Sequence, residues 1–451
     1  MKKRYTAALA SLGLAITGLA AVPAAATVAE AAPGAYDQFI VTFDSAATRQ
    51  VAHRGLTKVR ELGAGGVVVK AARGVDRVGA ERLMADLRRQ SGVVSVEPDL
   101  LMTAQATPTD PRYPEQWHYF EAAAGMNLPA AWDTADGAGV TVAVLDTGIT
   151  AHADLSAKVL PGYDFISDAT IARDGDGRDA DPNDEGDWHA AGECGSTTPS
   201  NSSWHGSHVA GTVAAATDNG VGGAGVAPKA KILPLRVLGK CGGRTSDIAD
   251  AITWASGGRV SRVPANPNPA KVINMSLGGS GACSGTYQRA IDAAVSRGTT
   301  VVVAAGNSNA NVSGFTPASC RNVVSVAAAD REGNRAFYSN FGAGIDVTAP
   351  GGEVRDETDA PGTRTKPQDG VLSTVNSGTT TQAADDYKTF MGTSMAAPHV
   401  AGLVALMLGE TPLLPSQVET ALKANTRPLL GSCSDGCGAG LVDAAATIAA
   451  I

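Results

Sequence analysis

The chain has 451 residues, so two or three folding units are expected, because one hydrophobic core seldom grows to that length. Hydrophobic residues make up 44% of the sequence and aromatic residues 5%, and the 53 glycines indicate a globular protein with many tight turns. The formal net charge of −8, with no basic stripe in the sequence, argues against nucleic acid as a partner.

The N-terminus has the features of a secretory signal peptide. Basic residues at 2–4 precede an apolar run at 7–22, and small residues that fit an A-x-A cleavage rule follow it. We therefore predict a signal peptide at 1–31 and secretion of the mature protein to the extracellular space. Beyond it, no stretch of about 18 residues is apolar without interruption, so no membrane anchor is predicted.

Residues 36–102 form a separate predicted unit. Strand-like alternation at 38–43, 67–70 and 93–96 flanks a helical pattern at 76–90, which is typical of a small α+β, ferredoxin-like domain. Residues 104–114 then contain three prolines and few apolar side chains, as expected of an exposed linker. Linkers of this kind are preferred sites of proteolytic cleavage.

From residue 117 onward, apolar strands alternate with helices. The predicted strands are 140–145, 232–238, 272–277, 300–305 and 323–328, and the predicted helices are 209–216, 246–255 and 287–297. Such alternation predicts an α/β fold with a mostly parallel sheet covered by helices on both faces. Chemistry is expected at the carboxyl ends of the strands, where Asp146 and Asn307 each follow a strand directly.

Three segments carry residues suited to nucleophilic catalysis. They are Asp146-Thr-Gly, His205-Gly-Ser-His208, and a Gly-Thr-Ser394 segment that leads into an almost wholly apolar helix. A serine in the first turn of a buried helix lies among unpaired backbone N–H groups at a positive dipole end. A serine hydroxyl also needs a base to accept its proton, and an imidazole is suited to that role.

In the order Asp, His, Ser on an α/β pattern, these segments resemble those of the secreted subtilisin-like serine proteases, the subtilases. The resemblance extends from the signal peptide to the C-terminus. It implies a three-layer subtilisin-like sheet and a serine endopeptidase with a triad of Asp146, His205 and Ser394. His205 would be the base, Asp146 would orient it, and His208 would pack or hydrogen-bond nearby.

The resemblance also implies an oxyanion hole and a substrate-binding edge. The side-chain amide of Asn307 and the backbone N–H of Ser394 would hold the developing negative charge. The edge that binds substrate backbone comprises Ser276, Leu277 and Gly278. A substrate that pairs there adds a strand, which favours extended polypeptides. Side-chain preference depends on how residues 312–317 fold and does not follow from the sequence.

By the same resemblance, residues 36–102 are a propeptide that binds the enzyme, and 110–451 form the catalytic domain. Cleavage within the processing linker 103–109 would release an enzyme that begins near Thr107 or Thr109. The protein is expected to be monomeric, with peptides, proteins and its own propeptide as partners. The sequence predicts no further domain after the catalytic one.

Calcium is the ion that the sequence favours. The loop at 217–223 resembles the high-affinity calcium loop of the family, and Gln116, Asp154 and Asn219 fall at matching positions. A second candidate is the glycine-rich loop from Asp174 to Asp184, which carries five aspartates, because hard oxygen ligands packed this densely suit Ca²⁺. Its candidate ligands are Asp174, Asp176, Asp179 and Asp181. The spacing is not that of an EF-hand, and a solvated acidic loop is the alternative at each site.

Six cysteines are expected to meet an oxidising environment if the chain is secreted. Six cysteines allow fifteen pairings, and the spacing alone does not choose among them. Proximity and the resemblance together favour three bridges. These are Cys194–Cys241, Cys283–Cys320 and Cys433–Cys437.

Other classes of protein are less compatible with the motifs. A zinc site could use His189, Cys194, His205 and His208, but no HExxH or paired CxxC spacing is present. An α/β-hydrolase needs a G-x-S-x-G elbow, and Ala396 interrupts that pattern. A thiol protease would need a cysteine beside a motif with a histidine partner, and the sequence has none. A decayed, non-catalytic site would lack one of the key residues, and all four are present.

Overall fold

A computed structural model describes residues 36–44, 51–63, 65–75, 77–99, 107–431, 433 and 435–451. The predicted signal peptide and positions 103–106 of the predicted linker lie outside the described residues. The chain divides into two compact units, Met1–Leu100 and Leu101–Ile451. Each unit is described by itself.

The first unit is a four-stranded antiparallel sheet with one described helix. Its elements are β1 (Tyr36–Phe43), β2 (Leu56–Leu62), β3 (Gly66–Val75), α1 (Arg77–Arg88) and β4 (Val93–Pro98). The strands lie in the order β2-β3-β1-β4. Phe39 and Val41 of β1 pack with Met84 and Leu87 of α1 in a small core. The predicted strands and helix are present, whereas β2, which carries mostly exposed polar side chains, was not predicted.

The second unit holds the larger sheet. Its helices are α2 (Trp117–Phe120), α3 (Leu128–Trp132), α4 (Ala169–Ala172), α5 (His205–Ala214), α6 (Thr245–Ala255), α7 (Gly285–Ser296), α8 (Thr393–Glu410), α9 (Pro415–Ala424) and α10 (Ala444–Ala449). Its strands are β5 (Thr141–Asp146), β6 (Tyr163–Asp164), β7 (Lys231–Arg236), β8 (Val272–Met275), β9 (Gly279–Ser280), β10 (Thr300–Ala304), β11 (Phe315–Thr316), β12 (Val324–Ala329), β13 (Val347–Pro350), β14 (Val371–Asn376) and β15 (Asp385–Phe390).

Seven of these strands form a sheet in the order β13-β12-β10-β8-β5-β7-β6, and its neighbouring strands are parallel. Successive side chains of β5 point to opposite faces. Val142 and Val144 pack in the core that contains α5 and α8, whereas Ala143 and Leu145 pack in the core that contains α6 and α7. The predicted α/β fold with helices on both faces is confirmed.

Helix α8 crosses the larger core, and most of its side chains are buried. Among the residues that the structure describes, no single helix has the length and hydropathy needed to cross a membrane. Helices α8 and α9, bent by 113° at the break between them, pass that test only when they are taken together.

Three disulfides join the six cysteines, and none is free. The bonded pairs are Cys194–Cys241, Cys283–Cys320 and Cys433–Cys437. These are the pairs that the resemblance favoured. The bond between Cys283 and Cys320 ties the segment after β9 to the segment after β11, and those two strands pair with each other.

Candidate active site

Three neighbouring strands deliver polar residues to one edge of the sheet. Asp146 is the last residue of β5, Ser276 follows β8 and Asn307 lies shortly after β10. Strand β8 lies between β5 and β10, and all three run parallel. The carboxyl ends of these strands therefore meet at one place, as expected for the chemistry of an open parallel sheet.

Asp146 and His205 are in contact at this edge. The Nδ1 atom of His205 lies 2.8 Å from Oδ1 of Asp146. Helix α5 begins at His205 and can approach β5 because the next residue is Gly206, where a Cβ would lie 2.1 Å from the carbonyl oxygen of Gly148. The backbone N–H of Gly206 donates to the hydroxyl of Thr147 at 2.9 Å. The helix start is thus fixed against the loop that carries Asp146.

A buried carboxylate at the end of the acidic loop, outside the predicted set of calcium ligands, supports this arrangement. Oδ2 of Asp184 accepts a 2.6 Å hydrogen bond from the hydroxyl of Thr147, the same hydroxyl that accepts from Gly206. Burial raises the pKa of Asp184 to about 7, and its hydrogen bonds with Thr147 and Gly186 oppose that rise. Nothing in the sequence distinguishes Asp184 from the other acidic residues nearby, because its partner lies 37 positions away.

The environment of His205 favours its protonated form. Burial lowers the pKa of the imidazole, but the charge and hydrogen bond of Asp146 raise it, and Asp187 and Asp184 add to the rise. The net result is a pKa above the ordinary value of 6.5. The imidazole is 23% exposed, whereas the side chain of Asp146 is 1% exposed. One face of His205 is therefore open to a substrate.

Ser394 lies in the first turn of α8, where its backbone is held by Ser276. The carbonyl of Ser394 has no helical donor, because Pro398 occupies the position four residues on, and the hydroxyl of Ser276 donates to it at 2.7 Å. The hydroxyl of Ser394 donates to the carbonyl of Ser276 at 3.2 Å. It does not bond to His205 in this structure.

Asn307 is exposed, and its amide is oriented by Thr393. Oδ1 of Asn307 accepts from the backbone N–H of Thr393 at 2.8 Å and from its hydroxyl at 2.9 Å. The hydroxyl of Thr393 in turn accepts from the backbone N–H of Gly306 at 3.0 Å. With Oδ1 fixed in this way, the amide nitrogen is left to donate toward the cavity beside Ser394. This role of Thr393 was not predicted, because its partner Asn307 lies 86 positions earlier in the chain.

Two cavities meet at Ser394 and Asn307. The first, of about 410 Å³, is lined by the edge at 276–280, by 304–308 and by Phe315 and Thr316. The second, of about 400 Å³, is lined by His205, Met395 and the loop that precedes β14. All three residues predicted to bind substrate, Ser276, Leu277 and Gly278, line the first cavity.

His208 packs as predicted and lines neither cavity. Its ring stacks on Phe390, and Nε2 contacts the carbonyl oxygens of Val371 and Lys388 at 3.0 Å each. Burial lowers the pKa of His208 to about 3. The zinc alternative would need Cys194 as a thiolate, but its sulfur is bonded to Cys241.

The residues of the first predicted calcium site lie together. Asp154 is buried, and its carboxylate accepts from Asn219 Nδ2 at 2.7 Å and from the hydroxyl of Tyr387 at 3.2 Å. Gln116 forms two hydrogen bonds with the backbone of Ala224, which directly follows the loop at 217–223. Burial raises the pKa of Asp154, whereas its hydrogen bonds and the charge of His152 oppose that rise, and within the described residues no lysine or arginine pairs with it. A buried carboxylate without a cationic partner fits the position of a cation.

One further acid holds the same loop. Both carboxylate oxygens of Asp110 accept hydrogen bonds, which come from the backbone N–H groups of residues 218, 219 and 220. Asp110 is buried and was not among the predicted ligands. Asp110 lies 108 to 110 positions before these residues, so the sequence alone does not predict the contact.

The second predicted calcium site is not formed. In the part of the chain that the structure describes, no three His, Cys, Asp or Glu side chains lie where they could hold a metal ion. Asp174 instead pairs with the buried Arg236, and each of the other carboxylates lies along an exposed or half-exposed loop. Oxygens of Asp174, Asp179 and Asp181 accept backbone N–H groups two residues on, in local turns. The carboxylates of Asp174, Asp176, Asp179 and Asp181 therefore do not converge.

Comparison with known proteins agrees with this architecture. The subtilase family matches residues 137–440. An extracellular protease of Xanthomonas campestris pv. campestris is 57% identical over 399 residues, which are 88% of this chain and 66% of the relative. An extracellular basic protease of Dichelobacter nodosus is 45% identical over 384 residues, 82% of this chain and 60% of the relative. The chain spans less than two thirds of the length of either relative.

A solved structure of a protease from Pseudoalteromonas arctica PAMC 21717 has a TM-score of 0.73 and 58% identity to this chain. The match covers 76% of this chain and 99% of that one. The chain belongs to the subtilase family of serine proteases.

Proposed function

We propose that the protein is a secreted serine endopeptidase that hydrolyses extended polypeptides through Asp146, His205 and Ser394. The observation that carries the proposal is the 2.8 Å contact of His205 with Asp146 beside a cavity that His205 shares with Ser394. Secretion is supported by the N-terminal sequence and by the printed names of the two relatives, both extracellular proteases.

In the proposed reaction the hydroxyl of Ser394 turns from the carbonyl of Ser276 toward His205 and attacks the scissile carbonyl carbon. Nε2 of His205 accepts the hydroxyl proton, and Asp146 stabilises the resulting imidazolium. The carbonyl oxygen gains negative charge, which the amide of Asn307 and the backbone N–H of Ser394 stabilise. His205 then donates its proton to the leaving amine, and water hydrolyses the acyl-enzyme.

The first cavity is proposed to bind the side chain that precedes the scissile bond. Its lining, which includes Leu277, Ala304, Phe315 and Ala318, contains no charged residue. A charged side chain would lose hydration there without gaining a counter-charge. We therefore expect a preference for large uncharged residues such as Phe, Leu and Met at this position. Peptides that differ only there, with Phe, Lys or Glu, would measure it.

We propose that residues 36–102 are a propeptide and that the enzyme removes it. The boundary between the two compact units falls at Leu100–Leu101, and described residues resume at 107. Pro108 is buried, and Thr109 donates from its backbone N–H to Asp218 at 2.9 Å. Cleavage before Thr107 would keep these contacts. N-terminal sequencing of active enzyme should find a start at or near Thr107, and a start at Tyr36 would contradict the proposal.

We propose that a structural calcium ion is held at the first predicted site by Gln116, Asp154 and Asn219. Bound there, the ion would neutralise the buried carboxylate of Asp154 and hold the loop at 217–223 against the body of the domain. The proposal is supported by the convergence of these oxygen-bearing side chains and by the lack of a lysine or arginine paired with Asp154 among the described residues.

The proposed activity is tested by expressing wild type and Ser394→Ala in parallel and assaying each on casein. Ser296→Ala, a serine on helix α7, is the matched control. Removing the nucleophile of subtilisin costs about 10⁶ in kcat, so the variant should be inert and unprocessed while the control matures normally. If Ser394→Ala cleaved casein at the wild-type rate, the assignment of the nucleophile would be wrong.

A further inference from the structure

The two cavities at Ser394 differ in their relation to the proposed reaction. His205 lines the second cavity and not the first, whereas the edge at 276–280 lines the first and not the second. The base that receives the serine proton later delivers it to the leaving amine, so the leaving amine must lie on the His205 side. The second cavity therefore faces the part of the substrate that follows the scissile bond.

Two arginines line this second cavity, and no acidic side chain does. Arg355 and Arg364 come from the loop between β13 and β14. In the part of the chain that the structure describes, neither guanidinium forms a salt bridge with a carboxylate. Arg355 donates to the carbonyl oxygens of Asp356 and Asp359 and lies over the ring of Phe337. Arg364 donates to Thr389, and its side chain is exposed.

None of the five acids of the same loop lines the cavity. Glu353 accepts from the backbone N–H of Phe337 at 2.7 Å, and Asp369 pairs with Arg331 at 2.9 Å. Asp356 pairs with Lys366 at 2.5 Å, and Asp359 accepts from the hydroxyl of Thr365 at 2.5 Å. Glu357 is exposed and does not line the cavity. The titratable side chains that line the cavity are therefore the two arginines and His205. Asp359 lies close enough to Arg355 for the charge of the guanidinium to help lower the pKa of that carboxyl, but it does not line the cavity.

We propose that Arg355 and Arg364 form a specificity subsite that favours acidic residues in the first two substrate positions after the scissile bond. This inference rests on the proposed function. A guanidinium that forms no salt bridge with a carboxylate of its own chain can bind a substrate carboxylate in two parallel hydrogen bonds. A substrate lysine at the same position meets two like charges.

The test uses quenched fluorescent peptides that share one sequence up to a single Phe before the scissile bond. The residue in the first or second following position is Glu, Gln or Lys, and kcat/KM is measured for each. Because the ion pairs formed with substrate would be partly exposed, we expect kcat/KM to be about 5-fold higher for the Glu peptide than for the Gln peptide. We expect it to be about 5-fold lower for the Lys peptide than for the Gln peptide. Because these charges are partly exposed, raising NaCl to about 0.5 M should shrink both ratios.

Three variants locate the effect. Arg364→Glu should reverse the ranking at one of the two positions, so that Lys becomes the better substrate there. Arg355→Gln should remove preference at the other position, and Arg355→Lys should keep it, which separates charge from support of the loop. Arg289→Glu, on the exposed surface of α7, is the control and should leave every ratio at its wild-type value. Ratios are taken within one variant, so a general loss of activity cancels.

The outcomes separate the two proposals. If wild type cuts the Gln peptide but Glu, Gln and Lys peptides react alike, the subsite inference is wrong and the proposed function is unaffected. If Arg364→Glu and Arg355→Gln keep the wild-type ratios, the preference arises elsewhere and the inference is also wrong. If wild type cuts none of the peptides while Ser394→Ala still cleaves casein, the proposed function fails.

Discussion

The orientation of Asn307 by Thr393 makes a quantitative prediction about the proposed oxyanion hole. Asn307→Ala removes the side-chain donor, and loss of one such donor costs about 2.7–4 kcal/mol, or about 10²–10³ in kcat, as in subtilisin. Thr393→Val removes the 2.9 Å hydroxyl contact to Asn307, together with the 3.0 Å contact from the backbone N–H of Gly306, and leaves the 2.8 Å backbone contact to Asn307. A single neutral hydrogen bond is worth about 0.5–1.5 kcal/mol, so we expect kcat to fall about 2- to 12-fold.

Because Thr393 is proposed to act through Asn307, the two substitutions should not be additive. The double variant should be no slower than Asn307→Ala alone, and KM should stay close to the wild-type value in all three. Steady-state kinetics on one uncharged peptide, with thermal melting to verify folding, provide the assay. Thr420→Val on α9 is the matched control. An additive double variant, or a loss confined to KM, would refute this account of Thr393.

Three other predictions follow from charge and burial. Since Asp146 raises the pKa of His205 and the neutral imidazole is the proposed base, kcat/KM should rise with pH through a value above 6.5, and Asp146→Asn should move that inflection down in a pH–rate profile. EGTA should lower the melting temperature of wild type, because removing calcium present at 100 times its Kd lowers the free energy of unfolding by about 2.7 kcal/mol. Asp154→Asn should melt at a lower temperature than wild type, and EGTA should not change that temperature. Asp176→Asn, the control, should respond to EGTA as wild type does. Arg236→Met should cost about 3–5 kcal/mol in denaturant unfolding, because it leaves the buried carboxylate of Asp164 unpaired, and adding Asp164→Asn should restore part of that loss. A double variant no more stable than the single one would contradict this reading of the pair.

The sequence predicted five of the seven strands of the larger sheet, because the signals of those strands are local, whereas β6 and β13 were not predicted. Strand β5 is an unbroken apolar run that ends at Asp146, and a strand buried on both faces needs little more than that to be recognised. Helix α8 is apolar on all sides, as a helix in the middle of a core must be. Strand β2 was missed because most of its side chains are exposed and polar, so it lacks alternation.

The parts of the site that the sequence did not reveal depend on partners far along the chain. The acidic loop was interpreted as a calcium site because its aspartates are dense, yet the buried Arg236 that pairs with Asp174 lies 62 positions later. Asp110 and Asp184 are chemically ordinary until the fold buries them against backbone amides and Thr147. Residue type and spacing therefore predicted candidates, and only the tertiary contacts decided which of them interact.

The most direct test of the central proposal is to treat the mature enzyme with a fluorophosphonate and locate the adduct by peptide mass spectrometry. Only a serine activated by a base reacts quickly with such a reagent. We expect a single adduct on Ser394 that appears in step with the loss of casein hydrolysis. It should be absent in Ser394→Ala and form far more slowly in His205→Ala. An adduct on another residue that tracks the loss of activity, or full inhibition with Ser394 unmodified, would contradict the proposed mechanism.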